Sequence, residues 1–247
     1  MSYPTAIVLA AGKGTRMKSD LPKVLVEING RPMIEYVLDA LTEGGIERTI
    51  VVVGYRAQMV RTALQGRPGI EFALQVEQLG TGHAAMACRD ALGDFDGPVL
   101  IVTGDQPLMQ AKSIRALLRN YEETPTSCIL GTAIKDNPFG LGRIIRDENG
   151  KFLGIVEEKD ATDEQRKIKE VNMSYYVFNC RDMIPALEDI QANNVQAEYY
   201  LTDCPGILAA AGKEVRALDV LAPYESIGIN TVDELAVAEA AMAELRR

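Results

Sequence analysis

The segment TAIVLAAGKGTRM, residues 5–17, joins a short apolar run to a glycine-rich turn and decides the fold. Residues 5–9 are β-branched or apolar throughout, which is typical of a strand buried on both faces of a parallel sheet. Residues 10–14 bring small side chains and two glycines, so that backbone N–H groups can approach an anion closely. Met17 stands where the dinucleotide fingerprint has its third glycine, and no Walker A sequence follows. A phosphate-cradling turn and an ordinary tight turn both remain open.

Strand and helix patterns alternate through the rest of the first half. Apolar residues at helical spacing over residues 33–41 end at the glycine pair 44–45. Strands are predicted at 49–53, 70–74 and 98–103, and helices near 57–64, from about 82, and at 112–123. This alternation implies right-handed crossovers and a sheet covered by helices. We therefore predict an α/β fold with a doubly wound, mostly parallel, Rossmann-like sheet.

The second half predicts a smaller antiparallel region. The strand patterns come close together between residues 127 and 178, and Asn149-Gly150 separates two apolar runs as in a β-hairpin. The charged stretch 159–170 is interpreted as a turn. The alanine-rich stretch 231–243 predicts a helix capped by its first residue, Thr231, or by Asp233. We expect the antiparallel region to form the second wall of a cleft.

Composition and charge exclude several classes of protein. The 247 residues include 26 Lys and Arg against 35 Asp and Glu, giving a net charge of −9. That balance argues against non-specific binding to nucleic acid or to an anionic membrane. No apolar run approaches the roughly 20 residues of a membrane-spanning helix, and the N-terminus lacks the pattern of a signal peptide. The sequence predicts a soluble, cytoplasmic protein with no nucleic-acid or membrane partner.

The cysteines and the single histidine limit the available chemistry. Cys88, Cys128, Cys180 and Cys204 are scattered without a CxxC pair, which favours free thiols in a reducing compartment. His83 is the one histidine, so a zinc site or a Ser-His-Asp triad has little support. Its position suits the start of a helix, and we interpret it as structural.

Two cations follow the opening turn. Arg16 offers a planar fork for phosphate oxygens. Pro22 restricts the backbone just before Lys23, so that its ammonium is presented from a defined position. Both residues could instead be solvated surface charges.

A polar loop, residues 75–83, follows the strand predicted at 70–74. The amides of Gln75 and Gln78 can pair with the donor and acceptor on a pyrimidine edge, and Gly80-Thr81 lets the backbone approach a base or a phosphate. The alternative is a loop in which Thr81 caps the next helix.

Asp105 follows the apolar strand 98–103 and is preceded by Gly104. At the carboxyl end of a parallel strand it faces the crevice in which α/β proteins bind ligands. Mg²⁺ is usually held by one or two carboxylates together with substrate phosphates. Asp105 is therefore a candidate Mg²⁺ ligand, with capping of the following helix as the alternative.

Several motifs together resemble the sugar-nucleotidyltransferases. They are LAAGKGTRM at 9–17, LPKVL at 21–25, QLGTGHA at 78–84, GDQPL at 104–108, GRI at 142–144 and IVEEKDA at 155–161. EYYLTD at 198–203 and INT at 229–231 extend the match over nearly the whole chain. QLGTGHA and EYYLTD narrow the resemblance to the uridylyltransferase domain of the bacterial bifunctional N-acetylglucosamine-1-phosphate uridylyltransferase/glucosamine-1-phosphate acetyltransferase.

The resemblance implies a nucleotide-diphospho-sugar transferase fold and a reaction. UTP and N-acetylglucosamine 1-phosphate would give UDP-N-acetylglucosamine and pyrophosphate by Mg²⁺-dependent in-line displacement. It implies catalytic roles for Arg16 and Lys23, and Mg²⁺ ligation by Asp105 and Asn230. The implied nucleotide contacts are Leu9, Ala10, Ala11, Gly12, Gly14, Gln75, Gln78, Gly80 and Thr81, and the implied sugar contacts are Gly142, Glu157 and Asn172. Because the attacking phosphate oxygen is already anionic, the reaction needs alignment and charge neutralisation rather than an enzyme nucleophile.

Two departures from the family pattern lie at the sugar end. Residues 172–174 read Asn-Met-Ser where the family usually has Asn-Thr-Gly, and residues 103–105 read Thr-Gly-Asp where it has Tyr-Gly-Asp. Another sugar phosphate or nucleotide, for instance glucose 1-phosphate with UTP or dTTP, is therefore the alternative within the enzyme class. A non-catalytic nucleotide-sugar sensor is the alternative outside it, although retention of Lys23, Asp105 and Asn230 argues against that hypothesis.

We expect a single nucleotidyltransferase domain over residues 1–247, with a nucleotide-binding half, 1–126, and a sugar-binding half, 127–247. No hexapeptide-repeat region is present in the sequence, so we expect no acetyltransferase domain and no acetyltransferase activity.

Overall fold

The computed structural model describes residues 3–17 and 19–245, so the expected domain limits at 1 and 247 lie outside the described residues. The strands are β1 (Thr5–Leu9), β2 (Glu27–Ile28), β3 (Arg31–Pro32), β4 (Arg48–Val53), β5 (Ile70–Leu74), β6 (Pro98–Thr103), β7 (Cys128–Ile134), β8 (Arg143–Arg146), β9 (Phe152–Val156), β10 (Glu170–Asn179) and β11 (Val215–Asp219). The helices are α1 (Met33–Glu43), α2 (Ala57–Ala63), α3 (Thr81–Met86), α4 (Arg89–Leu92), α5 (Ala111–Glu123), α6 (Asp163–Arg166), α7 (Cys180–Glu188), α8 (Asp203–Ala210) and α9 (Val232–Leu245). Single 3₁₀ turns lie at Thr15–Met17, Lys23–Leu25 and Pro223–Ser226.

The central sheet runs in the order β11-β7-β10-β6-β1-β4-β5. β5, β4, β1 and β6 are parallel to one another, and β11 is parallel to β7. β10 is antiparallel to both β6 and β7 and joins the two parallel sets. This mixed sheet confirms the predicted mostly parallel α/β fold.

Helices cover both faces of the sheet, as the apolar character of β1 requires. Ala6 and Val8 pack into one core cluster with residues of α1, α2 and α5. Ile7, on the opposite face, packs into a second cluster with residues of α3, α4, α7 and α8. All three side chains are fully buried, which confirms that residues 5–9 form a strand buried on both sides.

A third, smaller core lies beside the opening turn. It brings Met17, at the end of that turn, against Ile229 and against Ala238 and Met242 of α9. The segment before α9 is thereby packed against the N-terminal part of the chain, which is more than 200 residues away in sequence.

The predicted antiparallel region is present. β8 and β9 form a hairpin that joins the edge of β10 through Arg143 and Val171. The Asp147 carboxylate accepts hydrogen bonds from the backbone N–H of Asn149 (2.9 Å) and Lys151 (2.8 Å), and it closes the turn between them.

One local prediction is corrected, one is made more definite, and one hairpin was not predicted. The stretch 159–170, predicted as a turn, contains the short helix α6, because Thr162 and Gln165 form a reciprocal capping box at its start. The helix predicted at 231–243 runs on to Leu245 and is capped by Thr231, whose Oγ1 accepts from the backbone N–H of Glu234 (3.2 Å), and not by Asp233. The β2–β3 hairpin was missed, although its turn, Asn29-Gly30, has the sequence and the positive φ angles of a tight hairpin turn.

All four cysteines are free, as predicted, and all four are buried. Burial raises the pKa of the Cys88 thiol and, together with the nearby Asp203 charge, that of the Cys204 thiol, in each case to about 12. Within residues 3–17 and 19–245, none of the helices has both the length and the apolar character needed to cross a bilayer.

Candidate active site

A cleft of about 270 Å³ lies where the carboxyl ends of β1, β5 and β6 meet. This is the edge at which α/β sheets bind ligands. Most of the implied nucleotide contacts line it: Leu9, Ala10, Ala11, Gly12, Gln75, Gln78, Gly80 and Thr81. Lys23 and Asp105 line the same cleft, together with Thr103 and Glu198. The structure therefore brings together segments that are separated by up to 189 residues in sequence.

Backbone hydrogen bonds hold the opening turn between two neighbouring strands. The N–H of Ala10 donates to the carbonyl of Val52 (2.9 Å), and the carbonyl of Leu9 accepts from Gly104 (2.9 Å). A side chain at Gly12 would meet no protein atom within 4 Å. Gly12 is thus a glycine whose missing side chain leaves open space in the cleft, as close approach of a ligand to the backbone requires.

Gly14 lies beside Lys23. It does not line the cleft within the described residues, and its φ is +65°. A Cβ at this position would lie 2.6 Å from the Cβ of Lys23. Gly14 therefore lies directly against the Lys23 side chain, and a direct contact with nucleotide stays a prediction.

Lys23 is the centre of a small charged cluster. Its ammonium donates to the Oδ2 of Asp105 and, at 2.6 Å, to the Oδ1 of Asn230. Arg16 Nη2 donates to the same Asn230 oxygen (2.9 Å). The Lys23 side chain is only 13% exposed and that of Asp105 is 21% exposed. The four residues implied for catalysis and metal binding are thus in direct contact.

The Asp105 carboxylate is held in its ionised form. Burial raises the pKa of this carboxyl, but the charge and hydrogen bond of Lys23 and the hydrogen bond from Thr103 lower it by more. Its pKa therefore lies below the ordinary value. Thr103, one of the two departures from the family pattern, consequently supports the candidate metal ligand.

Asn230 is oriented by its own surroundings. Its Nδ2 donates to the carbonyl of Gly228 (3.4 Å), which leaves Oδ1 facing Lys23 and Arg16. The preceding residue, Ile229, is fully buried, and its N–H donates to the carbonyl of Asp105 (3.1 Å). The two candidate metal ligands are thus tied together through the backbone.

The donor set fits a hard divalent cation. A carboxylate oxygen and an amide oxygen converge on one point, where the Lys23 ammonium now serves as the cation. Oxygen ligands of this kind suit Mg²⁺. No group of three or more His, Cys, Asp or Glu side chains suited to a metal occurs in the described part of the chain. A cation held here would complete its coordination with substrate or water oxygens.

The polar loop after β5 forms another part of the cleft wall. Gln75 is almost fully buried, and its Nε2 donates to the carbonyl of Gly80 (3.1 Å) and lies 3.1 Å from Nδ1 of His83. His83 therefore orients a predicted nucleotide-binding side chain from the first turn of α3. Thr81 does not cap that helix, because its hydroxyl accepts from the N–H of Leu201 (3.0 Å) instead.

A smaller pocket continues from the cleft toward the antiparallel region. Leu9, Thr81 and Thr103 line both spaces. The smaller pocket adds four polar side chains, namely Glu157, Ser174, Tyr176 and Thr202. Burial raises the pKa of Glu157, whose Oε1 accepts from the hydroxyl of Thr202 (2.9 Å).

The other two implied sugar contacts lie behind this pocket. Asn172 is buried, and its Nδ2 donates to the hydroxyl of Tyr176 (2.6 Å). A Cβ at Gly142 would lie 2.8 Å from Cγ2 of Ile155, so a larger residue there would force Ile155 to shift, and it would lie 3.6 Å from Oε1 of Glu157, an ordinary contact.

Sequence reasoning did not select Glu198, Tyr176 or Thr202 as site residues. Glu198 and Thr202 lie in the EYYLTD motif at 198–203, which was used only to support the resemblance. The motif itself was thus the available signal for these two residues. Tyr176 lies on β10 within an apolar run and carried no such signal.

Residues 6–198 match the family model of the MobA-like NTP transferase domain, and the chain belongs to this family of nucleotidyltransferases. It is similar to the bifunctional protein GlmU of Streptococcus suis (strain 98HAH33), with 45% identity over 242 residues, covering 98% of this chain and 52% of the relative. GlmU of Streptococcus mutans serotype c (strain ATCC 700610 / UA159) is 43% identical over 242 residues with the same coverage. The chain thus spans about half the length of these curated relatives.

A solved structure shows the same fold. It is described as UDP-glucose pyrophosphorylase complexed with UDP-glucose, and it matches with a TM-score of 0.79 over 100% of both chains at 18% identity. The protein therefore has a nucleotide-diphospho-sugar transferase fold. Together with the GlmU relatives, these matches confirm the resemblance drawn from the motifs.

Proposed function

We propose that this protein transfers uridylyl from UTP to N-acetylglucosamine 1-phosphate, releasing pyrophosphate and forming UDP-N-acetylglucosamine with the help of Mg²⁺. The observation that carries the proposal is the contact of Lys23 with both Asp105 and Asn230 in the cleft bounded by the opening turn. The similarity to GlmU over 98% of this chain supports the choice of nucleotide and sugar.

Different residues of the cleft would bind the base and the phosphates of the nucleotide. The opening turn would hold the nucleotide by its backbone, while Gln75 and Gln78 would face the uracil. Lys23 and Arg16 would neutralise the triphosphate and the pyrophosphate leaving group. Bound Mg²⁺, held by Asp105 and Asn230, would supply further charge neutralisation on the phosphates. No nucleophile on the enzyme is needed, because the sugar phosphate oxygen attacks directly.

A different sugar 1-phosphate is the second candidate substrate, and the residues of the smaller pocket support this alternative. Ser174 and Thr103 both line that pocket, and both replace the residue usual for the family. Their hydroxyls make the pocket wall polar next to Glu157. A sugar with a hydroxyl in place of the acetamido group, such as glucose 1-phosphate, would find hydrogen-bonding partners there.

A matrix of nucleotides against sugar phosphates, read by pyrophosphate release, tests the proposal. UTP, dTTP, ATP and GTP are each combined with the 1-phosphates of N-acetylglucosamine, glucosamine, glucose and galactose in the presence of Mg²⁺. We expect the highest kcat/KM for UTP with N-acetylglucosamine 1-phosphate. Exclusive turnover of a non-acetylated sugar would replace the proposed substrate. Tight binding of a UDP-sugar without turnover of any pair would instead indicate a nucleotide-sugar sensor.

A further inference from the structure

One carboxylate at the start of α9 holds the backbone of the candidate metal ligand Asn230. The Oε2 atom of Glu234 accepts hydrogen bonds from the N–H of Asn230 (2.6 Å) and from the N–H of Thr231 (2.9 Å). The second of these bonds belongs to a capping box, in which the Thr231 hydroxyl accepts from the N–H of Glu234 in return (3.2 Å). The first bond extends one residue beyond the helix cap and has no part in capping.

That extra bond acts on the residue that faces the cations. Asn230 is already fixed on its other side by Ile229, which is bonded to the Asp105 carbonyl and buried in the third core cluster. Glu234 fixes the side toward α9. With the backbone held on both sides, the Asn230 side chain starts from a fixed position, and its oxygen faces Lys23 and Arg16.

We infer that Glu234 is a positioning residue for the cation site formed by Asp105 and Asn230. Loss of its carboxylate frees the backbone at Asn230 and lets the amide oxygen leave the point on which the two ligands converge. Partners outside the coordination shell have this effect in metal sites, where their removal typically weakens metal binding about 10-fold or more. The inference rests on the proposed function, because it concerns the metal that accompanies the nucleotide.

If Glu234 only capped α9, its loss would have the same effect as loss of the other half of the capping box. Thr231→Ala is therefore the matched control. Thr231→Ala removes the hydroxyl half of the capping box but leaves both hydrogen bonds to Glu234 Oε2. Glu234→Ala removes the bond to Asn230 as well. Both substitutions remove part of the capping box at the start of α9, but only the second releases Asn230.

The test measures binding of UTP to the full chain with and without metal. Mn²⁺, which accepts the same oxygen ligands as Mg²⁺, is used so that binding can be followed by electron paramagnetic resonance as well as by calorimetry. For Glu234→Ala we expect the affinity for the Mn²⁺–UTP complex to fall about 10-fold, while the affinity for UTP in excess EDTA stays within twofold. Thr231→Ala is expected to bind both forms as the wild type does.

Equal loss of both binding modes in Glu234→Ala, or equal behaviour of the two variants, would overturn the positioning role. Thermal denaturation reports whether each variant is folded. If Glu234→Ala does not fold, Glu234→Gln replaces it, because its amide oxygen retains a weaker acceptor, and a smaller loss confined to the metal-bound form is then expected. Failure of the wild type to bind UTP in any form would overturn the proposed function itself, a result distinct from any difference between variants.

Discussion

Lys23 shows how a single side chain depends on contacts that are remote in sequence. Its ammonium bonds to Asp105 and Asn230, which are 82 and 207 residues away, and its Cβ lies against Gly14. Because the Lys23 ammonium lies between two oxygen ligands, metal-bound nucleotide held there as proposed would draw Lys23 away from one or both of them. The nucleotide phosphates would then be the new partner of the ammonium.

Replacing Lys23 tests its role in the reaction. For Lys23→Ala we expect kcat for pyrophosphate release to fall by about two orders of magnitude, because a charge contact to the developing anion is lost. Stopped-flow or coupled assays with UTP and N-acetylglucosamine 1-phosphate measure this rate. Turnover near that of the wild type would exclude Lys23 from the reaction, and circular dichroism serves as the control for folding.

Ser174 lies in a backbone conformation that serine rarely adopts. Its φ is +59°, inside the irregular part of β10 where the pairing register with β7 shifts between Asn172 and Tyr176. Glycine reaches this region without strain, whereas other residues lose about 1 kcal/mol there. This gives a physical reason for the glycine that the family usually has at this position.

Two substitutions separate the backbone effect from the loss of the hydroxyl. Ser174→Gly and Ser174→Ala both remove the hydroxyl, but only glycine relieves the left-handed conformation. We expect the glycine variant to be more stable than the alanine variant by about 1 kcal/mol, measured by urea unfolding. Equal stabilities would show that the backbone here relaxes without cost.

The double substitution Met173→Thr with Ser174→Gly is expected to raise kcat/KM for N-acetylglucosamine 1-phosphate.

At the scale of elements, helix α7 is tied to two strands by one carboxylate. Asp182 accepts from the hydroxyl of Ser127 (2.6 Å), just before β7, and from the ammonium of Lys213 (2.8 Å), just before β11. The hydrogen bonds from Lys213 and Ser127 lower the pKa of Asp182 below its ordinary value, although partial burial acts in the opposite direction.

The Asp182 contact should stabilise the fold in a pH-dependent way. A carboxyl with a lowered pKa stabilises the folded state above its unfolded pKa of about 3.9, and this contribution is lost as the pH falls through the lower, folded value. For Asp182→Asn we expect unfolding at pH 7 to cost roughly 1 kcal/mol less than in the wild type. The difference should shrink below pH 3.9. An unchanged difference in urea unfolding at pH 7 and pH 3 would contradict this assignment.

Elements with strong local patterns were predictable from sequence, and those set by single side chains were not. β1, β4 and β6 are continuous apolar runs ended by glycine or by a turn, so their positions follow from periodicity alone. Helix α6 is only four residues long and depends on the reciprocal bonds of Thr162 and Gln165. The charged residues around them led to the prediction of a turn. The antiparallel placement of β10 between β6 and β7 is a long-range pairing that periodicity does not specify.

In the candidate site too, the residues in local motifs were predictable from sequence, whereas those brought in by long-range packing were not. Motifs pointed to the opening turn and to Asp105, which follow strand ends at the carboxyl edge of the parallel sheet, and to Lys23, which lies a few residues after the opening turn. The contact between Lys23 and Asn230 depends on α9 packing against the opening turn, and no local sequence pattern predicts that contact. Asn230 was reached through the resemblance, and its partner Glu234 through the structure alone.

A ligand that bridges these parts should stabilise the whole fold. UTP with Mg²⁺ at about 100 times its dissociation constant is expected to raise the free energy of unfolding by about 2.7 kcal/mol, measured by differential scanning fluorimetry or calorimetry. For Asp105→Asn we expect the increment due to Mg²⁺ to disappear and the Mg²⁺ concentration needed for activity to rise. A wild-type shift that does not depend on Mg²⁺ would place the metal elsewhere.

The position of β10 has a consequence for how the chain can be divided. This strand comes from the second half of the sequence, yet it pairs with β6 of the first half as well as with β7. Cutting the chain at residue 126 would remove that neighbour from β6 and expose the unpaired backbone edge of a mostly apolar strand, which favours aggregation. The two halves are therefore not interchangeable modules, and chimaeras that swap sugar preference must graft pocket residues, not segments.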